Sequence, residues 1–406
     1  NSKLISTFKL MEDAMTSPLA NLKIVEFAGL GPVPLAGQLL ADLGADVIVV
    51  DRTTTTLADH SDVNRRGKRS IALNLKATSG HSIALQLVKA SDILIEGFRP
   101  GVMERLGLGP LNCPDTLIYG RMTGWGQTGP MAHSAGHDIT YLAMTGVLSM
   151  LGPENTPPVP PLNLVADYGG GSMFLLLGLL SAVIERGVSG KGQVVDAAMI
   201  DGVPAMMGLI HSMIANGHWV LNRGENWLDG GAPFYRCYEC ADGGYVAVGA
   251  LEPKFYAVFL DNLDLLQAEL PDQNDRAAWP DLHRRFEAIF KTRDRDNWAQ
   301  IFLGTDACVA PVLSLQEAAK QSHLSMRGVY VAPGGVQQAA PAPRFGRSTV
   351  RKPSVPTGLG EDTEFILSEL GFDATARSQL RSEGATLCKF LLLAVVLVDL
   401  QRQLRW

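Results

Sequence analysis

The chain has 406 residues, 46% hydrophobic and 19% charged, enough for two domains or one large domain with an insertion and far from a disordered composition. Its net charge of −6 leaves no basic surplus to neutralise phosphates, which excludes a nucleic-acid binder. The five cysteines (Cys113, Cys237, Cys240, Cys308 and Cys388) are odd in number and scattered, so a reducing compartment is expected rather than a disulfide framework. The opening NSKLISTFKLMEDAM lacks the apolar core of a secretory signal, and Met11 or Met15 is a candidate start; the cytoplasm is the expected location. The longest apolar runs, Phe174–Ile184 and Phe390–Val398, fall short of the roughly 20 residues that span a bilayer. No membrane association is expected, and the second run reads as a docking helix or an added tail.

Residues 22–29 (LKIVEFAG) read as a strand, 35–44 as a helix and 45–52 (ADVIVVDR) as a second strand, apolar on both faces. A helix over 79–90, a strand over 92–95, a short helix from Val102 to Leu106 and a strand over 117–121 continue the alternation. This is a doubly wound α/β pattern with a parallel sheet. The first strand–helix turn holds Gly29 and Gly31, and Asp51 follows about 20 residues on, as in a dinucleotide fingerprint. The third fingerprint position is Pro34, whose ring is bulkier than the glycine that close helix–sheet packing needs, so a nicotinamide site is not expected.

Arg65, Arg66, Lys68 and Arg69 form a basic cluster that is either a solvated loop or a site for a phosphate-rich ligand. Arg99 and Arg105 follow a later strand. Cations recurring after successive strands (Arg52, Arg69 or Lys76, Arg105) would surround one polyanionic site at the carboxyl end of the sheet.

Residues 124–136 are Gly-rich, with a helix expected over 138–150. A strongly apolar helix is expected from Ser172 to Arg186, after Gly169, Gly170 and Gly171. We divide the chain into a large domain over 18–200, a linker over 201–232, a small α+β domain over 233–325 and a return linker over 326–341. Residues 342–385 should pack back on the large domain, leaving a tail over 386–406. The small domain opens with two strands around Asp242-Gly243-Gly244, a hairpin signature. Cys237 and Cys240 form a lone CxxC in a strand-like arm, read as packing residues rather than a metal site.

The candidate chemistry lies in GHDITYLAMTG (136–146) and PLNLVADYGGG (161–171). His137 and Asp167 each sit at an expected helix start beside glycines that let a ligand approach the backbone. Two bases on opposite faces of one carbon could remove a proton on one side and deliver it on the other.

GHDITYLAMTG, PLNLVADYGGG, GKGQVVDAAMIDG, LDGGAPFY, GALEPKFY and GTDACVAPV occur in the order seen in the α-methylacyl-CoA racemases. The chain resembles that family, within the family III CoA-transferase superfamily, over roughly residues 18–385. The resemblance implies a Rossmann-like large domain and a small domain in an intertwined homodimer. Each active site would lie between the large domain of one subunit and the small domain of the other. It implies His137 and Asp167 as the acid/base pair, with Glu252 supporting the histidine. Arg52, Leu73, Asn74, Leu75, Lys76 and Arg105 would contact coenzyme A, and Gly136, Asp138, Ile139, Thr140 and Tyr141 would line the acyl thioester. Thr140 and Tyr168 stand where the family usually has Asn and Phe.

The implied activity is interconversion of (2R)- and (2S)-2-methylacyl-CoA thioesters through an enolate. Coenzyme A is part of the substrate, and no metal or other cofactor is called for. Backbone amides at the start of the helix after His137 would hold the enolate oxygen. The alternative is a CoA-transferase in which Asp167 attacks the thioester and forms an acyl anhydride. His137 together with Glu252 favours the racemase.

Overall fold

The computed structural model describes residues 17–53, 60–266 and 269–387. Met11, Met15, Cys388 and the apolar run 390–398 lie outside the described residues. The chain divides into two compact units, residues up to 141 with 164–203 and those from 328 on, and residues 142–163 with 204–327.

The first unit is built on a parallel sheet of β1 (Lys23–Phe27), β2 (Asp46–Arg52), β3 (Arg69–Leu73), β4 (Ile93–Glu96), β5 (Ile118–Thr123) and β6 (Val194–Ala198). The order is β3-β2-β1-β4-β5-β6, all pairs parallel. Helices α1 (Pro32–Asp42) and α2 (Thr78–Lys89) follow β1 and β3. Ile24, Val25, Val49, Ile71 and Leu94 are buried because strands covered on both faces bury successive residues on both sides. The strand order reverses between β1 and β4. The crevice beyond their carboxyl ends is where doubly wound sheets bind ligands.

β3 begins inside the basic cluster, which the sequence reading took for a loop or a phosphate site. The structure gives Arg65, Arg66 and Lys68 a different task. Arg65 forks onto Asp51 at 3.1 and 2.7 Å, Arg66 binds Asp42 at 2.6 Å, and Lys68 binds Glu26 at 2.6 Å. All six side chains are buried. Arg69, half-buried, bridges Asp46 and Glu369. Asp51, the carboxylate of the broken fingerprint, is thus committed to Arg65 and the Ser70 hydroxyl.

The returning chain covers the outer edge of β3: Ser70 N donates to Asp362 Oδ2 at 2.8 Å and Asn74 N to Ala385 O at 2.8 Å. A covered edge cannot pair with another chain.

Two helices differ from expectation. The one after His137, α3 (Asp138–Met144), has seven residues and gives way to Gly146 at φ 82° and a short 3-10 turn over Val147–Met150. The apolar helix starts earlier than Ser172, as a π-helical segment over Leu164–Ser172 that runs into α4 (Met173–Ser189). Its glycines permit close packing: a Cβ on Gly170 would lie 2.9 Å from Val203 N, and one on Gly171 3.2 Å from Pro32 Cβ. Leu164–Ser189 is therefore a continuous 26-residue stretch, the one among the described residues long and apolar enough to cross a membrane by length and composition.

The second unit takes in more than the expected 233–325. Its sheet is antiparallel, β7 (Tyr235–Glu239), β8 (Tyr245–Gly249) and β9 (Val309–Pro311), with Gly243 at φ 77° in the hairpin turn. An aromatic core of Tyr238, Phe259, Phe286, Phe290, Trp298 and Phe302 lies under it. Residues 142–163 join this unit because Arg223 donates to the carbonyls of Ser149, Pro153 and Thr156. The expected linker 201–232 holds a helix over Gly208–Ala215 and a turn built on buried Asn226 and on Asp229, whose carboxylate accepts from the amides of Gly224, Asn226 and Gly231. Cys240 is buried and Cys237 exposed, and no group of metal-ligating side chains occurs among the described residues.

Candidate active site

The loops at the switch point carry the site. After β1 the chain turns through Gly31, at φ 70°, into α1. A Cβ on Gly31 would lie 3.2 Å from Asp167 Oδ2, so the glycine leaves room for that carboxylate rather than for a pyrophosphate. Asp167 is half-buried in the first turn of the π-helical segment. Such segments cluster at functional sites, because the widened turn re-aims side chains.

His137 precedes α3 and is exposed. Its backbone is fixed by Thr140: His137 N donates to Thr140 Oγ1 at 2.9 Å, and that hydroxyl donates to His137 O at 2.7 Å. The amides of Thr140 and Tyr141 also donate to His137 O. Of the expected amides, only those of Asp138 and Ile139 could then serve an enolate oxygen. Thr140, expected to line the acyl group, turns its hydroxyl back on the loop, whereas Ile139 is 44% exposed.

Asp138 is 8% exposed, and its side chain is bonded to the protein's own backbone. Oδ2 accepts from Ala166 N at 3.0 Å and Asp167 N at 2.8 Å. The segments of His137 and Asp167, 30 residues apart in sequence, are hydrogen-bonded to each other through it.

Tyr141 is buried against the backbone of Gly124 and Gly136, where a Cβ would come within 2.0 and 2.5 Å of its ring. Trp125 meets it edge-on at 4.8 Å. Burial and the nearby Asp167 carboxylate push its hydroxyl above the usual range, with Arg99 acting in the opposite sense. A cleft of about 270 Å³ runs past Phe98, Arg99, Gly124, Trp125, His137 and Tyr141. It joins the loop after β4 to the histidine.

The expected coenzyme A contacts separate into two groups. Arg52 is exposed at the end of β2, its guanidinium 5.7 Å above the Phe98 ring. Lys76 and Arg105 are also exposed. Leu73, at 1% exposure, belongs to the core, and Asn74 is spent on the turn, where it accepts from Lys76 N and binds Gly384 and Ala385. Leu75 is half-buried. Phe98 and Gly31 are beside the site without having been assigned to it from the sequence, and Arg99, noted there only as a cation after a strand, lines the same cleft as His137. The signal for Gly31 was there, in a glycine at a ligand-side turn, but it was read for another ligand. Behind this loop Glu96 accepts from Phe98 N at 2.7 Å and from Arg121 at 3.0 Å. Burial raises its proton affinity, opposed by those two bonds.

Glu252 lies in the second unit, exposed, immediately before the helix over Pro253–Asn262. Cys308 lies near enough for the Glu252 charge to raise its thiol, after burial.

A doubly wound sheet with a carboxylate and a histidine at its switch point defines an α/β enzyme architecture. The chain matches the CoA-transferase family III over residues 19–363 and belongs to that family. Among its relatives are the α-methylacyl-CoA racemases of Mus musculus, 43% identical, and of Homo sapiens, 41% identical; each alignment covers 90% of this chain and 96% of the relative. A human succinyl-CoA:glutarate CoA-transferase is 27% identical, over 90% of this chain and 89% of its own. The solved structure of a CaiB/BaiF family protein from Brucella suis is similar with a TM-score of 0.75 and 26% identity, covering 87% of this chain and 100% of that one.

Proposed function

We propose that this protein interconverts (2R)- and (2S)-2-methylacyl-CoA thioesters by moving the proton on the α carbon. The observation that carries the reading is the hydrogen-bonded junction of the His137 and Asp167 segments at the switch point, beside exposed cations. The two racemase relatives add support, because they align over nearly all of their own length.

In one direction Asp167 takes the α proton. The C–H pair moves into the thioester as an enolate, and protonated His137 delivers a proton to the opposite face. The reverse direction exchanges the two roles. Because only a proton moves, the step calls for no electron carrier. Glu252 is assigned to orient and charge-stabilise the histidine, on the family resemblance. Arg52, Lys76 and Arg105 are assigned to the coenzyme A phosphates, where guanidinium and ammonium donors form charge-assisted hydrogen bonds. A homodimer is also part of the reading. Met173, Leu177, Ile184 and Val188 leave an apolar face of α4 exposed, which suits a second copy. Light scattering should give twice the 43.6 kDa chain mass, and a monomer at micromolar concentration would refute it.

A single epimer incubated in heavy water without an acceptor acid tests the activity. Deuterium should enter at Cα while optical purity falls. An unlabelled α carbon, with coenzyme A moving to an added carboxylate, would replace this reading by the acyl-anhydride transferase. His137→Ala should slow exchange from one epimer far more than from the other, by about 10²–10⁴-fold.

A further inference from the structure

Asp138 is a carboxylate beside the site that the proposed chemistry leaves without a role in the proton transfer. It is 8% exposed. It is covalently next to His137. Its Oδ2 receives two amides at 3.0 and 2.8 Å, those of Ala166 and Asp167. These are first-turn amides of the π-helical segment, the kind that a helix cannot satisfy from within. Ala166 itself is fully buried, so water could not easily replace the carboxylate there. The other end of the Asp167 peptide is held as well: the Ser172 hydroxyl lies 3.3 Å from Asp167 O and 2.8 Å from Pro32 O. Asp138 Oδ1 is buried and has no hydrogen-bond partner among the described residues.

From this geometry we infer that Asp138 is a positioning residue that fixes the separation of the two bases. The link from His137 to the Asp167 amide runs through one peptide bond, one short side chain and one hydrogen bond. A two-base exchange at one carbon depends on that separation, because each turnover uses both groups. The inference rests on the racemase reading above. It places the Asp138 side chain on the protein's own backbone, where the sequence reading set it against the thioester.

The charge is not what the link requires. A single oxygen accepts both amides, and the carbonyl of an asparagine has the two lone pairs to do the same. Asp138→Asn should therefore keep racemisation within about tenfold of the unmodified enzyme. Asp138→Ala loses the link, and a misplacement of about 1 Å costs roughly 10²-fold. It should lower kcat from both epimers by about that factor and leave KM within about threefold. The symmetry separates it from His137→Ala, which is lopsided between epimers.

The test measures deuterium incorporation and epimerisation from each pure epimer, for the unmodified enzyme and both variants, with coenzyme A affinity by calorimetry as a check on folding. Asp138→Ala with kcat within threefold of normal overturns the inference. So does Asp138→Asn with normal coenzyme A affinity but a loss above 10²-fold. If Asp138→Ala does not fold, the Asn variant decides alone, near-normal kcat supporting the inference and a large loss opposing it. An inactive unmodified enzyme refutes the racemase reading itself and this inference with it; an active one confines any failure to Asp138.

Discussion

Two sets of basic side chains lie close together in the sequence and end in opposite places. Arg65, Arg66 and Lys68 are 6%, 2% and 6% exposed, each on its own carboxylate. Arg52, Lys76, Arg99 and Arg105 are exposed around the ligand end of the same sheet. Their residue types do not distinguish them. The difference is made by Asp51, Asp42 and Glu26, which β2, α1 and β1 bring beside the first set from 14, 24 and 42 positions upstream. A buried charge needs a partner, so the paired set is part of the frame. The exposed set is left for an anion. The densest cluster in the sequence was the structural one.

This contrast can be broken most sharply at Lys68. Lys68→Met leaves Glu26 buried without its counter-charge, which should cost about 3–5 kcal/mol of stability in denaturant titration, with the Glu26→Gln/Lys68→Met double variant regaining much of it. A single variant that unfolds at the normal midpoint would remove the pair from the frame. The exposed set should respond in the opposite way. Arg105→Ala and Arg52→Ala should each raise KM for the acyl-CoA about tenfold, roughly 1.4 kcal/mol, with melting temperature and kcat nearly unchanged. The penalty should shrink in high salt, because exposed charges are screened. A fall in stability without a change in KM would place these arginines with the buried set.

The smallest effect concerns His283, a half-buried base that faces an arginine. Burial, with Arg236 2.9 Å away, holds His283 down from 6.5 to about 4. A base whose proton affinity falls on folding stabilises the fold fully above its ordinary value. That contribution is lost as pH falls from 6.5 towards 4. The melting temperature of the second unit should drop by a few degrees between pH 7 and pH 5, and His283→Gln should flatten that slope. Equal slopes would show that His283 is not the group responsible.

Much of this was legible before any coordinates. The alternation of apolar strands and helices announces the parallel sheet, since strands buried on both faces must be apolar throughout. His137 and Asp167 stand out because each is polar beside glycines at a ligand-side turn. The hairpin at Asp242-Gly243-Gly244 is visible because its turn needs a residue with positive φ, which Gly243 supplies. These features are local, and a run of about ten residues carries each one.

Long-range pairing decided the rest. Gly31 serves Asp167 across 136 positions, a relation no spacing rule contains. The Leu73 side chain went into the core at the end of β3, and the Asn74 side chain into the turn that follows. Residues 142–163 joined the second unit through Arg223. Asp138 looked like one more residue lining the thioester until the fold set its carboxylate under the amide of Asp167. Sequence determines which chemical groups are present and which local shapes they favour. Burial and partner choice depend on what the rest of the chain brings within about 3 Å, where hydrogen bonds form. Only the tertiary structure makes that selection.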